Sequence, residues 1–560
     1  MPTRFVGTNT VKGKHSTDMF VDARSVDRDK VLEADVCIVG AGAAGITLAR
    51  ECINSPFRVI LLESGGLKYD KETQVLNAGE VAGHDYYPLA TARLRLFGGS
   101  TNHWNGFCLP LDASDFEERE WIKDSGWPFD RSHLDPFYQR AQPICKLGPY
   151  RYDYQDWEAE ETKHGQTPFP MATHRFITTV GQSSHVGAEA IKAFASVGRE
   201  AAKFGEVYRQ ELEHAPSIQT YLYANVVEVE TNESASEVSR VRVACLSGNR
   251  FWVKSKLFVL ATCAIQNARL LLLSNSRQPT GLGNQHDLVG RYFMEHPTIP
   301  GAGRLMVSDP SLSRGIYGRH LREGTRLTCL IAPAADAQRK DKLLNCSIRL
   351  HQEPEALVAI RAFKRIAHRL CGDDVSGDLS KNLIDVVADM DGVARHVYRR
   401  VWHKASEFET LERYKLTYSA EQAPNPSSRV SLSDEKDALG QPRAKLEWRL
   451  TENDLRNARV VLQNLGEELG RISVGRVKVE LADENETLSK SFAGSWHHMG
   501  TTRMSADPKK GVVDKNCRVH GIGNLFIASS STFPTSGHAN PTLTIVALTV
   551  RLADHLKELL

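Results

Sequence analysis

A chain of 560 residues exceeds what one hydrophobic core supports and predicts three or four units of ~150 residues each. With 41% apolar and 25% charged residues it has an ordinary globular composition. Its 70 basic and 68 acidic side chains leave a formal charge of +2, so no bulk field points to nucleic acid or to a membrane surface.

The first 33 residues are polar and contain no apolar run, which predicts neither a signal peptide nor a membrane span. Ten scattered cysteines without a CxxC pair argue for free thiols in a reducing compartment. The expected location is the cytoplasm. From residue 35 the pattern becomes strand, glycine turn, helix, strand. Residues 36–39 are a short apolar run, as in a buried parallel strand. Gly40, Gly42 and Gly45 form GxGxxG, and residues 59–62 make a second strand closed by Glu63. The glycines let backbone approach a pyrophosphate, the helix start faces the phosphates, and the terminal acid accepts from a ribose. The complete unit, rather than the glycines alone, predicts a dinucleotide site.

Residues 95–106 (RLFGGSTNHWNG) place Gly98 and Gly99 before Ser100 and Thr101, a flexible loop rich in donors. Asn102, His103 and Trp104 follow. Two readings stand: a turn with a packed tryptophan and a satisfied histidine, or a loop lying over the ring of a cofactor. Residues 110–216 are charged and aromatic, with helical spacing over 188–204, and predict a covering region. Residues 221–231, 241–245 and 251–254 alternate as antiparallel strands, and 258–275 return to strand then helix. From 300 to 490 no motif stands out. Residues 355–370 and 393–404 read as helices with basic faces, either solvated or in contact with an anionic surface or acidic partner. Residues 416–420, 429–432 and 444–449 read as strands of an antiparallel sheet, one wall of a substrate pocket.

The C-terminal end organises the rest. WHHMGTTRM (496–504) presents His497 and His498, and PTSGHANPTLTIVALTVRLADHL (534–556) presents His538 and Asn540. Asn540 before Pro541 predicts a helix start, with Asn as cap and Pro at the first position. That helix is apolar on nearly all faces and therefore buried. Its free N–H groups favour an anion placed over them.

Taken in chain order, GAGAAG with Glu63, FGGSTNHWNG, LATCAIQNARLLLLS, DLVGRYFMEHP and HHMGTTRM through HANPTLTIVALTVRLADHL make this chain resemble the glucose–methanol–choline (GMC) family of flavin-dependent oxidoreductases. The blocks run from end to end in family order but make up well under half of the residues. The HW pair resembles the branch of pyranose-oxidising enzymes and of bacterial enzymes that oxidise sugars and glycosides. The resemblance implies an α/β fold with a Rossmann-like FAD-binding domain built from the discontinuous segments 30–110, 216–300 and 490–560. A substrate-binding cap, an antiparallel sheet backed by helices, would come from 111–215 and 301–489.

The resemblance also implies FAD and, by position, His497 as catalytic base with Asn540 as the second active-site residue. Gly99, Ser100, Asn102, His103, Val227, Ser529, Asn540 and Thr542 join Gly40, Gly42, Gly45 and Glu63 as cofactor contacts. His498 and His538 are pocket neighbours, and no metal is implied. His103 matches a histidine that some relatives join covalently to flavin, whereas Asn102 stands where those relatives carry threonine. Ser529 stands where the family has an acid. The expected reaction converts CH–OH to C=O on a sugar, glycoside or related polyol, with an imidazole taking the hydroxyl proton and hydride passing to flavin N5. A non-sugar alcohol, a flavin-retaining lyase and a non-catalytic flavoprotein stay open as alternatives. The expected partner is a small-molecule alcohol, with no nucleic acid and no membrane span. The sequence does not choose between oxygen, quinone and protein as electron acceptor, and a homo-oligomer is compatible with it.

Overall fold

Two large sheets carry the architecture in the computed structural model, which describes residues 19–159, 171–183, 201–307, 319–353 and 413–560. The first has eight strands. Phe20–Asp22, Ile218–Leu222, Val59–Leu62, Val31–Val39 and Arg250–Leu260 run parallel, and Leu525–Ile527 pairs parallel with the end of the last of these. Val238–Ala244 and Asn225–Thr231 extend it antiparallel. Val59–Leu62 is buried at every position, as a strand covered on both faces must be. Helices Ala43–Glu51 and Thr542–Leu559 pack against each other and place Ile46, Leu48, Leu543, Val546 and Val550 in the main core.

The segment 221–231, expected as one strand, divides at Tyr223. That residue has φ +59° and turns the chain from the parallel set to the antiparallel edge. Conversely, the separate runs at 251–254 and 258–260 are a single long strand.

The second sheet has seven strands: Arg319–Arg322, Thr325–Pro333, Cys346–Glu353, Arg413–Ala420, Thr298–Val307 and Gly475–Val479 in that order, with His174–Ser183 beside the second. All its pairs are antiparallel. Period-two alternation sends Leu416, Tyr418 and Ile348 into a core shared with Ala458, Val461, Leu462 and Leu465 of helix Glu452–Arg471. Intervening residues face the other way. The strand expected at 416–420 belongs to this sheet. Those expected at 429–432 and 444–449 do not: Arg429–Lys436 and Pro442–Trp448 form a separate three-stranded sheet with Gly79–Gly83.

The basic faces at 355–370 and 393–404 lie outside the described residues, as does most of the helical stretch at 188–204. Among the described residues no helix is long and apolar enough to cross a membrane, and all nine cysteines are free.

Candidate active site

The parallel strands of the first sheet end on one cavity of about 960 Å³. Val39 runs into Gly40, Leu62 into Glu63, Leu260 into Ala261, and Ile527 into Ala528 and Ser529; all of these but Leu260 and Ile527 line it. The carboxyl ends of such strands are where open α/β sheets bind ligands. Gly40 holds φ +103°. A Cβ on Gly45 would stand 1.8 Å from Gly40 O, so Gly45 packs helix on turn and does not line the cavity. A Cβ on Gly42 would meet nothing within 4 Å, which leaves the helix start open to a phosphate. Glu63 accepts from the N–H groups of Ala41 (2.8 Å) and Gly65 (2.9 Å). Burial raises its carboxyl pKa while these bonds oppose the rise. Oε1 accepts also from the Ser64 hydroxyl at 3.4 Å, and Oε2 keeps a lone pair that a ribose hydroxyl can use. This cradle fits a dinucleotide such as FAD.

Two cations that the sequence reading overlooked line the same cavity. Arg93 is buried, and Arg95 donates to Asn77 Oδ1 (2.9 Å), Gln266 Oε1 (3.2 Å) and Asn225 Oδ1 (3.4 Å). Desolvation lowers the pKa of Arg95 to about 10. Their signal was the RLRLF run ahead of the glycine loop.

The loop divides its tasks. Gly99, Ser100 and His103 line the cavity. Asn102 does not; its amide donates to Phe97 O (2.9 Å) and Gly99 O (3.0 Å) and shapes the loop from behind. Trp104 does both things the sequence left open, lining the cavity while its indole donates to Ala202 O at 3.0 Å. Val227 also stays off the cavity. Its neighbour Val226 lines it, because successive residues of a strand face opposite sides and Val227 is the one turned into the core.

His497, His498, His538, Asn540, Thr542 and Ser529 all line the cavity. Asn540 does not cap the helix, which begins at Thr542 after Pro541 and has no side-chain cap. Instead its amide donates to Phe107 O at 2.8 Å, leaving one N–H and the amide oxygen. Ser529 accepts from Ser531 N at 3.2 Å.

Behind the two histidines lies a buried carboxylate, within the DLVGRYFMEHP block but given no role there by the sequence. Glu295 is 0% exposed and accepts from the backbone N–H groups of His497 (3.0 Å), Ser495 (3.0 Å) and His296 (3.1 Å), and from the Tyr86 hydroxyl. Tyr86 also meets His498 Nε2 at 2.9 Å. These bonds hold a strained turn in which Trp496 has φ +60° and stacks on Tyr87 at 4.3 Å. His497 Nδ1 lies 2.9 Å from His296 Nδ1. Desolvation depresses His497 to about 4 and His498 to about 3, so both are neutral imidazoles near pH 7.

The far wall is the free face of the second sheet. Thr298, Ser347 and Ser419 are cross-strand neighbours, as are Pro300, Thr417 and Arg349, and all six line the cavity. Thr298 Oγ1 lies 3.0 Å from both Ser419 Oγ and Ser495 Oγ, joining this wall to the histidine turn. His538 is 5% exposed, with neither ring nitrogen bonded among the described residues. Asp112, Asp115 and His538 offer atoms within 4.8 Å of one another, but Arg175 and Asn345 already donate to these carboxylates. That makes a hydrogen-bonded cluster rather than a metal cage.

Comparison with known proteins adds to this geometry. Residues 424–549 match the family model of "GMC oxidoreductase" and residues 35–174 that of "FAD dependent oxidoreductase". The fructose dehydrogenase large subunit of Gluconobacter japonicus is 24% identical over 94% of this chain and 98% of its own. The 6'''-hydroxyparomomycin C oxidase of Streptomyces lividus is 26% identical over 93% and 92%. The crystal structure of a pyridoxine 4-oxidase shares the fold, with TM-score 0.55, 15% identity and coverage of 93% of this chain and 98% of that one. With a dinucleotide cradle at one end of the cavity and paired histidines at the other, the chain is an FAD-dependent oxidoreductase whose residues 424–549 form a GMC oxidoreductase domain.

Proposed function

We propose that this enzyme oxidises a secondary or primary alcohol group of a sugar, glycoside or related polyol, with His497 as base. One observation carries the reading: a neutral imidazole and a wall of hydroxyl and guanidinium groups face each other across one cavity. The names of the two long relatives, a fructose dehydrogenase large subunit and a 6'''-hydroxyparomomycin C oxidase, support the same substrate class. FAD, when bound, supplies the hydride acceptor. The protein's part is to bind, orient and deprotonate. His497 uses Nδ1 on His296, which leaves Nε2 to accept the alcohol proton; such a positioned base contributes typically ~10²–10⁴-fold. The remaining N–H of Asn540 can hold the developing alkoxide. Thr298, Ser347, Thr417, Ser419 and Arg349 supply donors and acceptors for the other hydroxyls. The N-terminal turn of helix Thr542–Leu559 favours negative charge over it by ~0.3–1 kcal/mol. Free thiols throughout the described chain suit a reducing compartment, and we place the enzyme in the cytoplasm.

The test is an anaerobic screen of sugars, glycosides and simple alcohols, read by bleaching of the bound flavin. Polyols should bleach fastest, and His497→Ala should keep its flavin yet bleach at least ~10²-fold more slowly. Bleaching by no alcohol at all would defeat the reading. Preference for apolar alcohols would defeat its substrate class, and a wild-type rate in His497→Ala its base.

A further inference from the structure

We propose that His296, His538 and the Asp112–Asp115 carboxyl pair form a line that carries the alcohol's proton from His497 out of the buried cavity to solvent. This rests on the reading of His497 as base. The line begins at the 2.9 Å contact between His497 Nδ1 and His296 Nδ1, with the two rings at 80°. Beyond it, His296 is turned toward the backbone of Ser536 and Gly537, the two residues before His538, and both nitrogens of His538 are buried without a hydrogen-bond partner among the described residues. Left empty-handed, each such atom costs ~1–3 kcal/mol, so two of them on one ring call for an occupant or a use. His538 is near enough to His296 and to Asp112 for its charge to act on both. It offers a nitrogen within 4.8 Å of a carboxylate oxygen of each aspartate, a gap that one bridging water spans. The Asp112 side chain is 23% exposed and its partner Arg175 34%, so the line reaches the outside there.

The charges around its end suit a relay. Asp115 accepts from Asn345 Nδ2 (2.9 Å) and Asp112 N (2.8 Å), with the Arg119–Glu421 pair behind it. Burial, then the neighbouring Glu421 and Asp112, push Asp115 up to about 8, so it can take and release a proton near neutrality. Arg175 and His538 keep Asp112 below its usual range against the effect of its own burial.

The step balances without electrons. The hydroxyl proton goes to His497 Nε2; the proton on His497 Nδ1 moves to His296 Nδ1; that on His296 Nε2 moves to His538; and His538 gives one to the carboxyl pair. The carbon-bound hydrogen leaves separately as hydride. One proton is therefore freed for each alcohol oxidised.

The experiment uses the holoenzyme in an anaerobic stopped flow, weakly buffered with a pH-indicator dye, with D-fructose or the sugar that bleaches fastest in the screen. In the wild type, dye and flavin signals should move together. In Asp115→Asn, which lies off the cavity, flavin should bleach within about twofold of the wild-type rate while the proton signal lags at least ~10-fold. His538→Gln should delay the proton signal by as much relative to its own bleaching rate, whatever that rate is, since His538 lines the cavity. In the resting protein, Asp115→Asn should also remove the infrared band of a buried protonated carboxyl. Proton release that stays in step with bleaching in both variants overturns the line. Slow bleaching in His497→Ala alongside that result would leave the base in place, whereas normal bleaching in His497→Ala removes the base itself.

Discussion

Glu295 and the histidines it supports show how much rests on single side chains. The carboxylate takes three backbone N–H groups and the Tyr86 hydroxyl at full burial. Glu295→Gln puts an amide NH₂ among these donors. It should lower stability by ~1–3 kcal/mol for each donor left unpaired and slow flavin bleaching at least 10-fold or so as the His497 turn loosens. Bleaching at the wild-type rate would show that the turn holds without it. The pH dependence follows from burial. With His497 depressed to about 4, the acid limb of kcat/KM should fall near pH 4 and not near 6.5, since this profile reports the free enzyme's base. For stability, His497 and His498 have folded values of about 4 and about 3, below the unfolded imidazole. The unfolded chain therefore binds more protons, and stability is lost as pH falls below ~6.5 toward those values. Stability that rises on acidification through this window would contradict the sign.

At the scale of the element, the glycine turn separates two kinds of glycine. At Gly45 a methyl group would collide with Gly40 O at 1.8 Å, whereas at Gly42 it would meet no protein atom within 4 Å. Gly42→Ala should therefore leave the melting temperature of the flavin-free protein unchanged while reducing its FAD content on purification, because only the ligand needs that space. Equal damage to the apoprotein would show that Gly42 serves the fold. This turn was legible in the sequence because everything that defines it lies within 30 residues or so, as a strand–turn–helix–strand unit. The WHHMGTTRM block was legible for the same reason. Legibility fails where pairing crosses the chain. Val227 turns into the core while Val226 lines the cavity, a choice of face set by the sheet's place in the fold and not by any local pattern. Asn540 reads as a helix cap, but its amide is taken by Phe107 O, 433 positions away. Nothing near Glu295 in sequence marks it as the support of residues 495–497.

Across the whole molecule, the cavity is a joint product of two sheets. The first offers its strand ends and the second its polar face, so loss of either should release the flavin. One buried ion pair bears on this directly. Arg119, just beyond helix Ala113–Phe116, donates through both terminal nitrogens to Glu421 at the end of strand Arg413–Ala420, at 2.6 and 2.8 Å. Their side chains are 1% and 0% exposed. Glu421 also accepts from Asn345 N at 2.6 Å, which ties a second strand to the same point. Removing one partner of such a pair strands the other charge in a medium that cannot solvate it, at a cost of ~3–5 kcal/mol. Arg119→Ala should lower the urea midpoint accordingly. Arg119→Ala combined with Glu421→Ala should recover part of the loss, since no uncompensated carboxylate remains, though the Asn345 N–H is then left unpaired. Flavin fluorescence, followed alongside tryptophan emission, should report release in the same transition for the wild type and both variants. A double variant no more stable than the single one would show that the buried carboxylate is not what destabilises the protein. Flavin release well before the tryptophan change would show that the second sheet is not needed to keep the cofactor in place.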